Sequence, residues 1–202
     1  MKLYYTPGAC SMAVHITLRE AGLPFDLEKV DLRSKRTQNG EDYARINPKG
    51  YVPALQLEDG SVLTEVGVCV QYVADLAPHS ELAPIAGTMA RYRLMEWINF
   101  TATEIHKTFG PLFDPSVTEE FRQCQIGLLS KRFAYLEQHL SDHEFVTGAK
   151  FTSADAYLFT VLNWTHVVKM ELSRWPALKD YAKRVAERPM VRETMKTEGL
   201  VK

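Results

Sequence analysis

Cys10 follows the turn-forming run Thr6-Pro7-Gly8-Ala9 and precedes an amphipathic segment, so it stands where a loop becomes a helix. Unsatisfied backbone N–H groups and the positive end of the helix dipole favour an anion at such a position, and a thiolate held there is a nucleophile. Ala13 occupies the place of the second cysteine in a Cys-x-x-Cys pair, so a disulfide at Cys10 needs a thiol from outside the chain. The competing reading is a small, inert cysteine tucked into a helix start. Val52-Pro53 opens a strand. A proline there has no N–H for the ladder and can take the cis form, which would leave the Val52 N–H and C=O free to pair with an extended peptide; an ordinary edge-strand proline is the alternative. Glu65 precedes Val66-Gly67 at the next helix start. It offers a carboxylate for an amino group beside N–H groups for a carboxylate, the two charges of an amino-acid headgroup. It could equally do no more than complement the helix dipole.

The elements that must position these groups follow from periodicity and breakers. A β-prone run at 2–5 leads through the loop to a helix over 11–22, stopped by Gly22 and Pro24. A strand at 25–32, a polar stretch from Lys35 to Gly40, a short helix at 41–46 and a turn at 47–50 come next. Strands at 52–58 and 61–64 flank the hairpin turn Asp59-Gly60, and a helix over 65–77 ends at Pro78. The order βαβαββα predicts an α/β domain over residues 1–80 with a mixed sheet. Pro84 and Gly87 mark a linker at 81–87, and residues 88–202 read as an all-α domain with helices at 88–109, 118–140, 153–169, 176–187 and 189–197. Thr152-Ser153-Ala154-Asp155 after Phe151 spells a capping box with a hydrophobic staple, a structural signal.

Composition narrows the classes of function. Hydrophobic residues at 46% and charged residues at 24% predict a soluble globular chain. Lys and Arg (24) nearly balance Asp and Glu (25), without the basic excess that gathers phosphates, so no nucleic-acid partner is expected. No apolar run has the length of a signal peptide or membrane span, which predicts a cytoplasmic protein with no membrane partner. Cys10, Cys69 and Cys124 are too far apart for metal-binding or disulfide spacing, so no metal is expected and all three are read as free thiols.

The run Tyr4-Tyr5-Thr6-Pro7-Gly8-Ala9-Cys10-Ser11, then Asn47-Pro48-Lys49-Gly50-Tyr51-Val52-Pro53-Ala54-Leu55, Leu63-Thr64-Glu65, and Phe151-Thr152-Ser153-Ala154-Asp155-Ala156-Tyr157-Leu158 resembles the bacterial beta-class glutathione transferases over nearly the whole chain. The resemblance implies a thioredoxin-like N-terminal domain, a C-terminal helical bundle, and glutathione as co-substrate. It implies that Cys10 lies beside the glutathione sulfur, able to form a mixed disulfide, with the Ser11 hydroxyl polarising the thiol. Lys35 would face the glycine carboxylate. Val52 would pair with the cysteinyl unit beside cis Pro53, and Glu65 with the Val66 N–H would hold the γ-glutamyl end. Asn99, Thr103, Glu104, His106 and Lys107 would reach the site across the interface of a homodimer. Where the family often has serine or glycine, this chain has Val66, and the missing hydroxyl predicts headgroup binding weaker by roughly 1 kcal/mol.

Three functions compete at this point. The first is transfer of glutathione to electrophilic hydrophobic compounds, a detoxification chemistry driven by a thiolate of lowered pKa. The second is a glutaredoxin-like oxidoreductase or peroxidase working through Cys10. The third is a non-catalytic carrier of apolar ligands in the cleft between domains. Tyr5 is a secondary candidate for stabilising the thiolate, and His106 for proton transfer near Cys10. His15 reads as structural, Cys69 and Cys124 as small packed hydrophobes, and Trp97, Trp164 and Trp175 as core, with Trp164 a candidate pocket wall.

Overall fold

The computed structural model describes residues 1–202. Its first half is a five-stranded sheet of β1 (Lys2–Tyr5), β2 (Asp26–Asp31), β3 (Arg36–Thr37), β4 (Ala54–Gln56) and β5 (Val62–Thr64) in the order β3-β2-β1-β4-β5. β1 and β2 are parallel, joined by α1 (Ser11–Glu20), and the other neighbours are antiparallel. The two-residue β3 lies inside the stretch expected to be irregular. It has too few residues to show an alternating pattern, and its pairing with β2 defines it.

The termini obey local chemistry. Gly22 takes φ +66 just past α1, and the Leu23 N–H reaches the Leu18 carbonyl at 3.2 Å, the closure expected of a left-handed helix cap. In the β4–β5 hairpin, Gly60 takes φ +83 and Asp59 Oδ1 accepts from the Ser61 N–H at 2.9 Å. α1 and α3 (Val66–Leu76) cover one face of the sheet. The short α2 (Tyr43–Ile46) covers the other, where Tyr4, Val30, Tyr43, Val52 and Ala54 form a small second core. Gly67 on α3 sits so close to Ile98 that a Cβ would lie 2.7 Å from its Cγ2, so only glycine lets the helices approach here.

The second half is helical throughout. α4 (Met89–Phe100) runs into a wide π turn at Thr101–His106 and on into α5 (Lys107–Phe109), so the single helix expected at 88–109 changes its winding in the turn that carries His106. α6 (Glu119–Leu140) follows. The helix expected at 153–169 is two: α7 (Ser153–Leu162), buried at every position, and α8 (Trp164–Val167). α9 (Pro176–Ala186) and α10 (Pro189–Thr197) complete the chain. Asp155 accepts from the Thr152 N–H and hydroxyl at 2.8 Å, the Val146 N–H at 2.9 Å and the Tyr181 hydroxyl at 3.0 Å. The capping acid is thus also a buried junction between the 145–152 loop, α7 and α9. α1 packs on α3, α7 and α10, and one apolar core runs across both halves. Cys69 is buried as expected, whereas Cys124 is exposed: it lies on the solvent face of α6. No helix is long and apolar enough to cross a membrane.

Candidate functional site

Where β1 ends, the chain turns through Thr6–Ala9 and delivers Cys10 to the N-cap of α1. This loop is tied down from several directions. The Thr6 hydroxyl donates to the Val30 carbonyl at 2.8 Å, and Ser11 Oγ accepts from the Thr6 N–H at 3.2 Å while facing the Thr6 carbonyl at 3.3 Å. Trp164 Nε1–H donates to the Gly8 carbonyl at 2.8 Å, and the Gly8 N–H donates to Glu198 Oε2 at 2.8 Å. The other Glu198 oxygen meets His15 Nδ1 at 2.8 Å, and Arg19 Nε donates to His15 Nε2 at 3.1 Å. Since Nε2 accepts, Nδ1 carries the proton and donates to Glu198. Gly8 has φ +70 and leaves 3.3 Å between its would-be Cβ and Leu200, so the C-terminal segment closes over it.

Across from this loop, the Val52-Pro53 bond is cis. The Cys10 thiol donates to the Val52 carbonyl at 3.1 Å, and the Val52 N–H has no protein acceptor. Burial pushes the Cys10 thiol up to about 12, against the opposing pull of the Cys10 and Ser11 N–H groups. The expectation of a resting thiolate is therefore corrected: a helix start does aim N–H groups at the sulfur, but enclosure outweighs them and the group is a neutral donor.

Cys10 and Val52 line a cavity of about 340 Å³ together with His106, Phe113, Trp164 and Val167. His106 Nδ1 lies 2.7 Å from the Tyr157 hydroxyl, with the Trp164 ring edge-on at 4.8 Å. The Tyr157 proton has no other acceptor, so it is donated to Nδ1, which leaves Nε2 as the protonated nitrogen. Burial, and then the neighbouring Lys107, lower the His106 pKa to about 4 and hold the ring neutral. Burial likewise pushes the Tyr157 phenol up, so it stays a donor.

Farther along the groove, Glu65 caps α3 with φ +70 and makes no side-chain cap bond, so the first N–H groups of α3 remain open. Its Oε1 accepts from Lys49 Nζ at 2.6 Å and from the Tyr51 hydroxyl at 2.7 Å, and those bonds, Lys49 first, hold its carboxyl below the usual range. Lys35, at φ +56, donates to the Gly50 carbonyl at 2.6 Å. The N-terminal half thus offers a carboxylate beside open amides at Glu65–Gly67, an ammonium at Lys35, and a thiol beside a free backbone N–H at Cys10 and Val52.

Two family descriptions match the chain: "Glutathione S-transferase, N-terminal domain" over residues 8–76 and "Glutathione S-transferase, C-terminal domain" over residues 100–189. The glutathione S-transferase GstA of Escherichia coli O157:H7 is 48% identical over 200 residues, covering 99% of this chain and 100% of that protein. The chain belongs to the glutathione S-transferase family. A sphingomonad glutathione S-transferase solved in complex with glutathione is 42% identical with a TM-score of 0.96, covering 100% of both chains. The bacterial beta-class transferase of Sphingomonas chungbukensis is 43% identical with the same TM-score of 0.96 and the same 100% coverage of both chains. The resemblance to the beta class stands on these likenesses.

Against that background, this transferase brings Cys10, Val52 and His106 to one cavity within a single chain, although His106 was expected to come from a partner. Asn99, Thr103 and Lys107 are exposed in one chain. Glu104 is held by Arg132 of α6 rather than left free for a neighbour. The Ser11 hydroxyl is consumed by the Thr6 backbone and does not polarise the thiol. Tyr5 is buried in the core, edge-on to His15 at 6.1 Å, and does not line the cavity. Val66 is buried at the start of α3. Sequence reasoning assigned no site role to Tyr157, Lys49, Tyr51 or Glu198. Tyr157 was quoted within a motif without one, and Glu198 meets Gly8 across 190 positions, a pairing that no local pattern announces.

Proposed function

We propose that this glutathione transferase conjugates glutathione to small apolar electrophiles, with Cys10 acting as a hydrogen-bond donor to the glutathione thiolate. The carrying observation is the bond from the Cys10 thiol to the Val52 carbonyl at 3.1 Å beside an unpaired Val52 N–H. A cysteinyl unit docked as an added strand gives its carbonyl to the Val52 N–H and its own N–H to the Val52 carbonyl. That N–H replaces the thiol, and the released Cys10 S–H turns to the glutathione sulfur. Glu65 Oε2, which makes no bond in the chain, takes the γ-glutamyl ammonium, the Val66 N–H takes its carboxylate, and Lys35 takes the glycine carboxylate.

His106 supplies a second donor through Nε2–H. The two donors stabilise a sulfur anion in a partly closed pocket, which lowers its pKa. The glutathione thiol loses its proton to solvent, and the sulfur anion then attacks the electrophilic carbon, forming the S–C bond as the leaving group departs with its electron pair. Phe113, Trp164 and Val167 provide apolar walls for the acceptor. A neutral, half-buried thiol held by the Val52 carbonyl is a poor attacking group in disulfide exchange, which favours this reading over an oxidoreductase working through Cys10. Exposed apolar residues on α3 (Val68, Leu76) and α4 (Met89, Tyr92, Met95) support a homodimer. Three unpaired cysteines suit the reducing cytoplasm, where detoxification of electrophiles has its use.

Replacing Cys10 tests the assignment. Cys10→Ser keeps a donor and should retain conjugation of an aryl halide within a few-fold. Cys10→Ala removes a hydrogen bond to a charged sulfur and should lose roughly 10-fold or more. Equal activity of Cys10→Ala and wild type would remove Cys10 from the mechanism.

A further inference from the structure

The turn at 47–51 carries two side chains to a single carboxylate oxygen. Asn47 is buried and braces the turn from inside: its Oδ1 accepts from the Lys49 N–H at 3.1 Å, and its Nδ2 donates to the Tyr51 carbonyl at 2.6 Å. The Gly50 N–H closes onto the Asn47 carbonyl at 2.9 Å, and Gly50 takes φ +71. Lys49 and Tyr51 flank that glycine, and both reach Glu65 Oε1, at 2.6 Å and 2.7 Å. Lys49 Nζ also donates to Thr64 Oγ1 at 3.0 Å, so its ammonium sits over the junction between the last residue of β5 and the cap of α3. An ammonium has three protons to give. Two are used, and the third meets no acceptor in the chain.

Once a ligand ammonium arrives, the charges around Glu65 no longer balance. Lys49 already occupies one oxygen of the carboxylate, and the γ-glutamyl ammonium takes the other. Two cations then share one anion beside the positive end of α3. Lys107 adds to the positive field at Glu65 without a bond to it. A ligand with an amine alone is opposed there by like charge. A ligand that carries a carboxylate on the same carbon as its amine restores the balance, with charges of alternating sign around the junction. Val66 has no side-chain donor, so α3 offers that carboxylate backbone amides only. The free Lys49 proton adds a charged donor next to them.

We propose that Lys49 is a specificity-determining residue for the co-substrate: set on Glu65 Oε1 and Thr64 Oγ1, it gives its third proton to the γ-glutamyl α-carboxylate and so restricts the headgroup to a zwitterion. This role rests on the glutathione reading above and adds to it the side chain that selects the headgroup's charge. Lys49 touches no reacting atom, so it acts on affinity. Its bond to Glu65 is made before the ligand enters, which leaves the ammonium already oriented toward the amides of α3.

Calorimetric titration with glutathione and with 4-aminobutyryl-cysteinylglycine, the same tripeptide without the γ-glutamyl α-carboxylate, tests this directly. Wild type should prefer glutathione. Both ligands keep the ammonium, so a general loosening of Glu65 weakens them alike and leaves the ratio of their affinities untouched. In Lys49→Met that ratio should fall roughly 5-fold, the scale of a half-exposed charge pair. Lys49→Arg keeps the cation and should recover most of the loss. The side chain is half-exposed, so both variants should keep the wild-type circular dichroism spectrum. A ratio unchanged in Lys49→Met, or an arginine variant no better than the methionine one, would overturn the role of Lys49 while leaving glutathione binding in place. Wild type that binds neither tripeptide would defeat the proposed activity together with it.

Discussion

The chemistry of the groove turns on protonation states that burial sets. Cys10 is raised to about 12 and His106 lowered to about 4, so both are neutral at physiological pH and both are donors. Two neutral donors around one sulfur suit a site that accepts an anion rather than carrying one. Burial of His106 has a measurable sign. Its folded-state pKa lies below the unfolded value near 6.5, so the unfolded chain takes up the proton first and stability from this residue is lost as pH falls from about 6.5 toward 4. The imidazole resonances of His106 should therefore stay unchanged in an NMR titration between pH 8 and 5.5. Titration near 6.5 would contradict the assignment of His106 as a fixed Nε2–H donor. At this scale the sequence exposed the position of Cys10 and the pairing capacity of Val52, since both follow from local rules about helix starts and prolines. It did not expose the charge on Cys10, because enclosure of the sulfur depends on the packing of distant segments around the loop.

Between elements, the decisive contact is the grip of the C-terminal segment and α8 on the loop before Cys10. Glu198 receives the Gly8 N–H and the His15 ring, both from the sheet-bearing half, while Trp164 holds the Gly8 carbonyl. The His15–Glu198 side chains are fully buried. Removing one partner leaves the other's polar groups unpaired, which costs far more than the net value of the pair. Glu198→Ala should destabilise the protein by about 3 kcal/mol in urea unfolding and lower the conjugation rate as the loop loosens. A change under about 0.5 kcal/mol would contradict the role given to Glu198. The capping box at Thr152–Asp155 was readable because its partners are three residues apart. The break between α7 and α8 and the π turn that carries His106 were not, since apolar periodicity continues through both.

For the whole molecule, a thioredoxin-like sheet half and a helical half share one continuous core, which explains how the C-terminus can shape a site built from the first residues of the chain. The element order, the hairpin and the helical character of residues beyond 88 follow from strand alternation, Asp-Gly punctuation and helical spacing, and so were legible in advance. Strand order and the two-residue β3 depend on pairing and were not. Val68, Leu76, Met89 and Tyr92 are exposed on the paired helices α3 and α4, and burying them against a second copy predicts a dimer of about twice 23.0 kDa. Sedimentation should find that mass for wild type and a monomer for the Val68→Glu, Tyr92→Glu double variant. Monomeric wild type would contradict it.

The account rests on glutathione being held as an anion beside a neutral Cys10. The most direct measurement is the ultraviolet thiolate absorbance of glutathione bound to Cys10→Ser, titrated against pH with the free variant subtracted, so that the tripeptide's sulfur is the only thiol observed in the groove. The account predicts ionisation at least one pH unit below the ordinary thiol value of about 8.5. Ionisation of bound glutathione at the same pH as free glutathione would contradict it.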